Sequence, residues 1–72
     1  METRMFERPA TVLSSDRTHS ETFTRGERVK NVRRIGNRVM FEPVDAHHIA
    51  GTYAMDWTDF ETNTTTVRGA RA

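Results

Sequence analysis

Apolar positions along this chain recur at two spacings, and the stretch RVKNVRRIGNRVMFEPV, Arg28 to Val44, carries the clearest of them. With a turn at Gly36 and Asn37, two residue types that tolerate positive φ, its flanks pair Arg34 with Val39 and Val32 with Phe41. Val32, Val39 and Phe41 then share one face, and Arg33, Arg38, Met40 and Glu42 share the other, so one side is buried and the other wetted. Val29 is out of phase with Val32, which a bulge near Lys30 or Asn31 repairs. A helix over 27–35 competes, because Val29, Val32 and Ile35 recur every third residue and Gly36 suits a helix stop. Of the two, the hairpin is expected.

The flanking segments are shorter. Residues 1–8 mix charge with Met5 and Phe6, and Pro9 disfavours helix at Arg8, so a flexible N-terminus is expected there. ATVLSS and ETFT are β-prone runs separated by DRTHS, whose polar turn-forming residues read as a loop. IAGTYAM places Ile49, Gly51, Tyr53 and Met55 on one side of a third strand beside the hairpin. A helix through Ile49, Tyr53, Trp57 and Phe60 is the rival, weakened by Gly51 and Thr52. MDWTDFETN reads as a single helical turn that Asp56 can cap, with Trp57 and Phe60 on one side. TTTV reads as a closing strand and RGARA as a frayed end. The expected fold is mainly β. It is a small SH3-like barrel or a curled antiparallel sheet of roughly four or five short strands, with one short helical turn near 56–62. A single β domain would occupy 9–67, leaving 68–72 frayed.

Composition sharpens this picture in three ways. Leu, Ile, Val and Phe make up about 18% of the 72 residues, close to the level at which disorder competes, but a net charge of only +1 does not keep a chain expanded. A folded domain with a thin core is expected. There is no Cys, which removes disulfides and thiolate chemistry. Glu2 and Glu7 stand where a secretion signal needs a basic start, and no apolar run approaches the roughly 20 residues of a membrane span. A soluble, cytoplasmic chain is therefore expected, with no membrane partner.

Two resemblances rest on these residues. GERVKNVRRIGNRVMFEPV resembles the hairpin of the small head-completion protein of lambdoid phages, in which a glycine, a valine pair and a second glycine precede an arginine, a valine and an aromatic residue. That likeness covers about a quarter of the chain and lacks the flanking helices. GNRVMFEPV, GTYAMDWTDF and a later valine are similar in layout to short phage proteins with an SH3-like barrel. The second resemblance implies a phage or mobile-element accessory protein and carries over no functional residue.

Charge gives the strongest functional expectation. Arg25, Arg28, Lys30, Arg33, Arg34 and Arg38 face only Glu27 within their stretch, whereas Glu42, Asp45, Asp56, Asp59 and Glu61 follow with no Lys or Arg among them. A basic hairpin can grip phosphates, so those six residues are the candidate contacts to nucleic acid or to another acidic partner. The sequence pI of 8.4 is modest for a dedicated nucleic-acid binder. The bland reading is a solvated face whose arginines pair with acids on the next strand. The functional rival is a protein–protein antagonist or adaptor of host machinery, a phage-type inhibitor, with Tyr53, Met55 and Trp57 as interface anchors. A minor virion component is a third reading, and a homo-oligomer would supply stability that a thin core lacks.

No enzyme, cofactor or metal is expected. His47 and His48 are adjacent, and on a strand adjacent side chains point to opposite faces, so with Asp45 and His19 they read as polar loop residues. Ser14 or Ser15 as a nucleophile, His48 with Asp59, or Asp56 with Asp59 as an acid–base pair would need an activating arrangement that no motif specifies.

Overall fold

The computed structural model describes residues 3–67. Seven strands and one helix follow in the order β1 (Arg4–Phe6), β2 (Ala10–Ser14), β3 (Ser20–Phe23), β4 (Arg28–Ile35), β5 (Arg38–Pro43), β6 (Tyr53–Asp56), α1 (Trp57–Asn63) and β7 (Thr64–Thr66). They form one antiparallel sheet in the spatial order β3-β2-β6-β5-β4-β1-β7. The mainly β fold and its curled antiparallel sheet are as expected, with seven strands in place of four or five.

The curl can be measured from the aromatic core. Five strand spacings separate β3 from β1, which in a flat sheet at about 4.8 Å per strand would hold them roughly 24 Å apart. Instead the Phe6 ring on β1 stacks on the Phe23 ring on β3 at 5.2 Å between centroids. The sheet therefore rolls into a half-barrel around Phe6, Val12, Phe23, Val29, Val39, Phe41, Tyr53 and Phe60, all essentially inaccessible to water. Two backbone hydrogen bonds extend the β1–β4 ladder to the turn before β4: Phe6 N–H donates to Glu27 O at 2.9 Å, and Gly26 N–H donates to Phe6 O at 2.8 Å. Arg4–Phe6 thus corrects the expectation of a flexible start, because this strand pairs with β4 on one edge and β7 on the other. The frayed end expected at 68–72 lies outside the described residues.

The hairpin forms as the pattern predicts. Arg34 pairs with Val39, Gly36 and Asn37 make the turn, and the register shifts between Lys30 and Arg33. Asn31 sits there at φ 54°, in the left-handed region that asparagine tolerates better than most residues. This bulge sets Asn31 and Val32 together opposite Phe41, so the expected one-to-one pairing of Val32 with Phe41 is replaced by a two-to-one arrangement. It also brings Val29 and Val32 to the core side despite their three-residue spacing. Ile35, the third member of the supposed helical stripe, is 64% exposed.

The later segments differ from expectation in detail. β6 begins only at Tyr53; Gly51 has φ 141°, and Ile49 is exposed. Asp56 precedes α1 but makes no side-chain cap; its carboxylate accepts from Arg38 Nη1 at 3.4 Å instead. The first helical amide is satisfied by the hairpin tip, since Trp57 N–H donates to Asn37 O at 2.9 Å. Among the described residues no helix is long and apolar enough to cross a membrane.

The β2–β3 turn is fastened by Asp16. Its Oδ1 accepts from Ser14 Oγ and Thr18 Oγ1, both at 2.7 Å, and from Thr18 N–H at 3.1 Å. The Thr18 and Ser14 hydrogen bonds lower the Asp16 pKa from 3.8 to about 2. A depressed carboxylate stabilises the fold above its unfolded pKa and loses that contribution as pH falls through the folded value. Asp16→Ala should therefore lower the melting temperature at neutral pH. The gap to the wild type should close as the medium is acidified from 3.8 through about 2, as thermal melts across an acid series would register.

Candidate functional site

The six basic residues singled out in the sequence do not act as one group. Alternation along β4 sends Arg28 and Lys30 outward beside the buried Val29, and after the bulge sends Arg33 outward as well. All three are exposed, and none has an acid within ion-pair reach among the described residues. Arg25 is exposed in the turn before β4. Arg38 projects from the outward face of β5 and pairs with Asp56 at 3.4 Å, the single case among the described residues in which the arginine-to-acid pairing of the bland reading forms. Arg34 belongs to the opposite face, since its cross-strand partner is the buried Val39. Its guanidinium lies 4.6 Å from the Trp57 ring centroid, and its Nε donates to Gly36 O at 2.9 Å. Arg34 therefore ties the hairpin tip to α1 and leaves the outward basic face to Arg28, Lys30, Arg33 and Arg38.

The expected protein anchors are also redistributed. Tyr53 is fully buried; its hydroxyl donates to Ile49 O at 2.7 Å and so accepts from His19 Nε2 at 2.9 Å, which removes it as a surface anchor. Met55 and Trp57 are half-buried against the core. The exposed apolar groups lie elsewhere, at Leu13, Ile35, Val44 and Ile49. Across the outward face, register aligns Leu13, Ala54, Met40 and Arg33 in one row and Asp56, Arg38 and Ile35 in the next. A shallow groove of about 320 Å³ runs there, lined by Ser15, Arg17, Ile35, Arg38, Met40 and Ala54. It combines an apolar floor with two guanidinium groups.

A second cluster was missed by sequence reasoning. His47 and His48 sit in the turn after β5 rather than on a strand, so the opposite-face argument does not apply to them. Their rings lie one over the other at 4.2 Å. His48 is buried, with only 3% of its side chain exposed, and stacks on Phe23 at 4.3 Å. Its Nδ1 meets Glu21 Oε1 at 2.7 Å and its Nε2 meets Glu27 Oε1 at 2.8 Å, while His47 Nε2 meets Glu27 Oε2 at 2.8 Å. Glu27 Oε1 is held further by Thr24 N–H at 3.0 Å.

Two carboxylates on one imidazole mean that both of its nitrogens carry protons. Burial opposes that charge, but hydrogen bonds to Glu21 and Glu27 outweigh it and raise the His48 pKa above its ordinary value. The His48 hydrogen bond holds Glu21 below the usual carboxylate range against a smaller burial cost. For Glu27, burial pushes upward, and the bonds from His48 and the Thr24 amide overcome it. Both His48 nitrogens are thus engaged by Glu21 and Glu27, and Ser14 Oγ donates to Asp16. The only sequence signal for this cluster was the polarity of DAHH; Glu21 and Glu27 are at least twenty residues from the two histidines.

Compared with family models, with curated proteins and with solved structures, the chain matches none.

Proposed function

We propose that this protein is a non-catalytic binding module whose outward β4–β5 face docks on the backbone of nucleic acid. One observation carries the reading: Arg28, Lys30 and Arg33 stand on the same side of one strand, exposed and in no ion pair among the described residues, with Glu42 opposite Lys30 as the one acid across the ladder from them. Along a strand, Arg28 and Lys30 are spaced by roughly 6–7 Å, so successive cations can follow a line of phosphates. Phosphate contacts of this kind give affinity with little base preference. The fully buried phenylalanine and tyrosine rings leave stacking on exposed aromatics a minor part of such binding. A phage or mobile-element accessory role is the setting implied by the resemblance to short phage proteins with an SH3-like barrel.

Three phosphate contacts predict that log affinity falls with log salt at a slope of about −2.7 on duplex DNA and about −2.1 on single strands. The variant Arg28→Glu with Arg33→Glu should abolish measurable binding in a fluorescence-anisotropy salt series while its circular dichroism remains that of the wild type. Unchanged affinity in the folded double variant would sink the reading.

A second reading, a protein-binding antagonist, adaptor or minor virion component, is favoured by the groove that joins Ile35, Met40 and Ala54 to Arg17 and Arg38. Such a surface suits an acidic, partly apolar protein segment. Capture from host lysate that survives nuclease treatment and is lost in Ile35→Lys would establish it over the first.

A further inference from the structure

We propose that Glu27, His47 and His48 form a binding site for a zinc-type divalent cation, with Glu21 orienting His48 from behind. The ligand atoms, one from each of the three residues, lie within 4.8 Å of one another. In a tetrahedral zinc site, bonds of about 2.0–2.2 Å place ligand atoms roughly 3.4 Å apart. The two nitrogen-to-carboxylate separations of 2.8 Å, made to different oxygens of Glu27, therefore need to open by about half an ångström, while the widest ligand separation, within 4.8 Å, closes toward the same value as the side chains turn onto the ion.

The arrangement around these three residues supports the assignment independently. A histidine ligand characteristically donates its other ring N–H to a carboxylate, which fixes the tautomer and the ring direction. Here Glu21 takes His48 Nδ1 at 2.7 Å, leaving Nε2 aimed at Glu27 and beside His47. Phe23 against the His48 ring and Thr24 N–H on Glu27 restrain two of the three ligands before any ion arrives. His47 is 63% exposed at its side chain and forms the open side, where solvent reaches the ion and completes four-coordination. Glu21 and Glu27, both within hydrogen-bond reach of His48, would balance the charge of the ion. Two imidazoles and one carboxylate select zinc and its neighbours over magnesium or calcium, which prefer all-oxygen sites. The ion would pin the 45–52 loop to the turn between β3 and β4.

The test uses the full chain without an affinity tag, stripped with chelator and titrated with zinc chloride by calorimetry and thermal melting. One ion per chain is expected, with a melting temperature that rises with zinc concentration and is unmoved by magnesium. His47→Ala, at an exposed position, should melt like the wild type in chelator and lose zinc affinity by at least ~100-fold. Glu21→Gln should weaken binding by about 10–100-fold at unchanged stoichiometry. Cobalt substitution should give the intense visible absorption of a four-coordinate ion, absent in His47→Ala. Failure to take up stoichiometric zinc at micromolar concentration would overturn the proposal, and so would equal zinc affinity in His47→Ala and the wild type.

Discussion

Phe6→Ala is expected to remove about 3–5 kcal/mol of stability at 25 °C, a large share of what a chain of this length possesses. The side chain has no exposure to water, and its ring meets those of Phe23, Phe41 and Phe60 at 5.2, 6.1 and 6.2 Å. Truncating a buried phenylalanine costs about 3–5 kcal/mol, and a domain of this length has a total stability on the order of 4–11 kcal/mol. The loss is compounded by position. Phe6 lies on the strand that bridges β4 and β7, and its own amide and carbonyl extend the β1–β4 ladder to Glu27 and Gly26. Urea denaturation followed by tryptophan fluorescence would measure the effect, with Phe6→Leu expected to fall between the alanine variant and the wild type. A loss below 0.5 kcal/mol, the usual result at an exposed position, would mean that the first strand does not hold the core.

His48→Ala is the second large effect, expected to cost about 3 kcal/mol in the presence of chelator. Removing one partner from a buried ion pair typically costs about 3–5 kcal/mol, because the remaining charge stays desolvated without compensation. The lower end applies here, since the Glu21 and Glu27 side chains retain 18% and 15% exposure and water can partly replace the imidazole. Loss of the ring stacked on Phe23 adds a packing term. Adding Glu21→Gln and Glu27→Gln to His48→Ala should recover part of the stability, because the uncompensated carboxylates are then gone. Equal stability of the single and triple variants would show that the cost comes from packing alone. A midpoint unchanged by His48→Ala would remove the network from the account of stability.

Local patterns in the chain fixed a good share of the architecture. Gly36 and Asn37 tolerate the turn, alternation through Val39 and Phe41 gives β5 its buried face, and the phase error between Val29 and Val32 marks a bulge that falls at Asn31. The DRTHS loop, the helix beginning at Trp57 and the final strand of threonines were legible in the same way, because each depends on residues within a few positions of one another. The outward direction of Arg28, Lys30 and Arg33 follows once that hairpin and bulge are in place.

Other features depend on which distant segments meet when the sheet curls. Met5 and Phe6 stand in a short charged segment with no periodicity to mark a strand; β1 exists because β4 and β7 present free edges on either side of it. Alternation along β4 already sets Arg34 on the face opposite Arg33, but only the folded sheet and α1 bring the Trp57 ring beneath its guanidinium. Tyr53, expected as an interface anchor, is buried instead because His19 and Ile49 O supply partners for its hydroxyl.

The chain's own periodicity and turn chemistry determined a mainly β domain with a basic hairpin, because hydrogen-bonded turns and face alternation are short-range properties. Closure of the half-barrel alone decided that Phe6 is central and that Glu21, Glu27, His47 and His48 converge. No local rule encodes those meetings: the partners are brought together by long-range strand order, and burial then makes their hydrogen bonds obligatory.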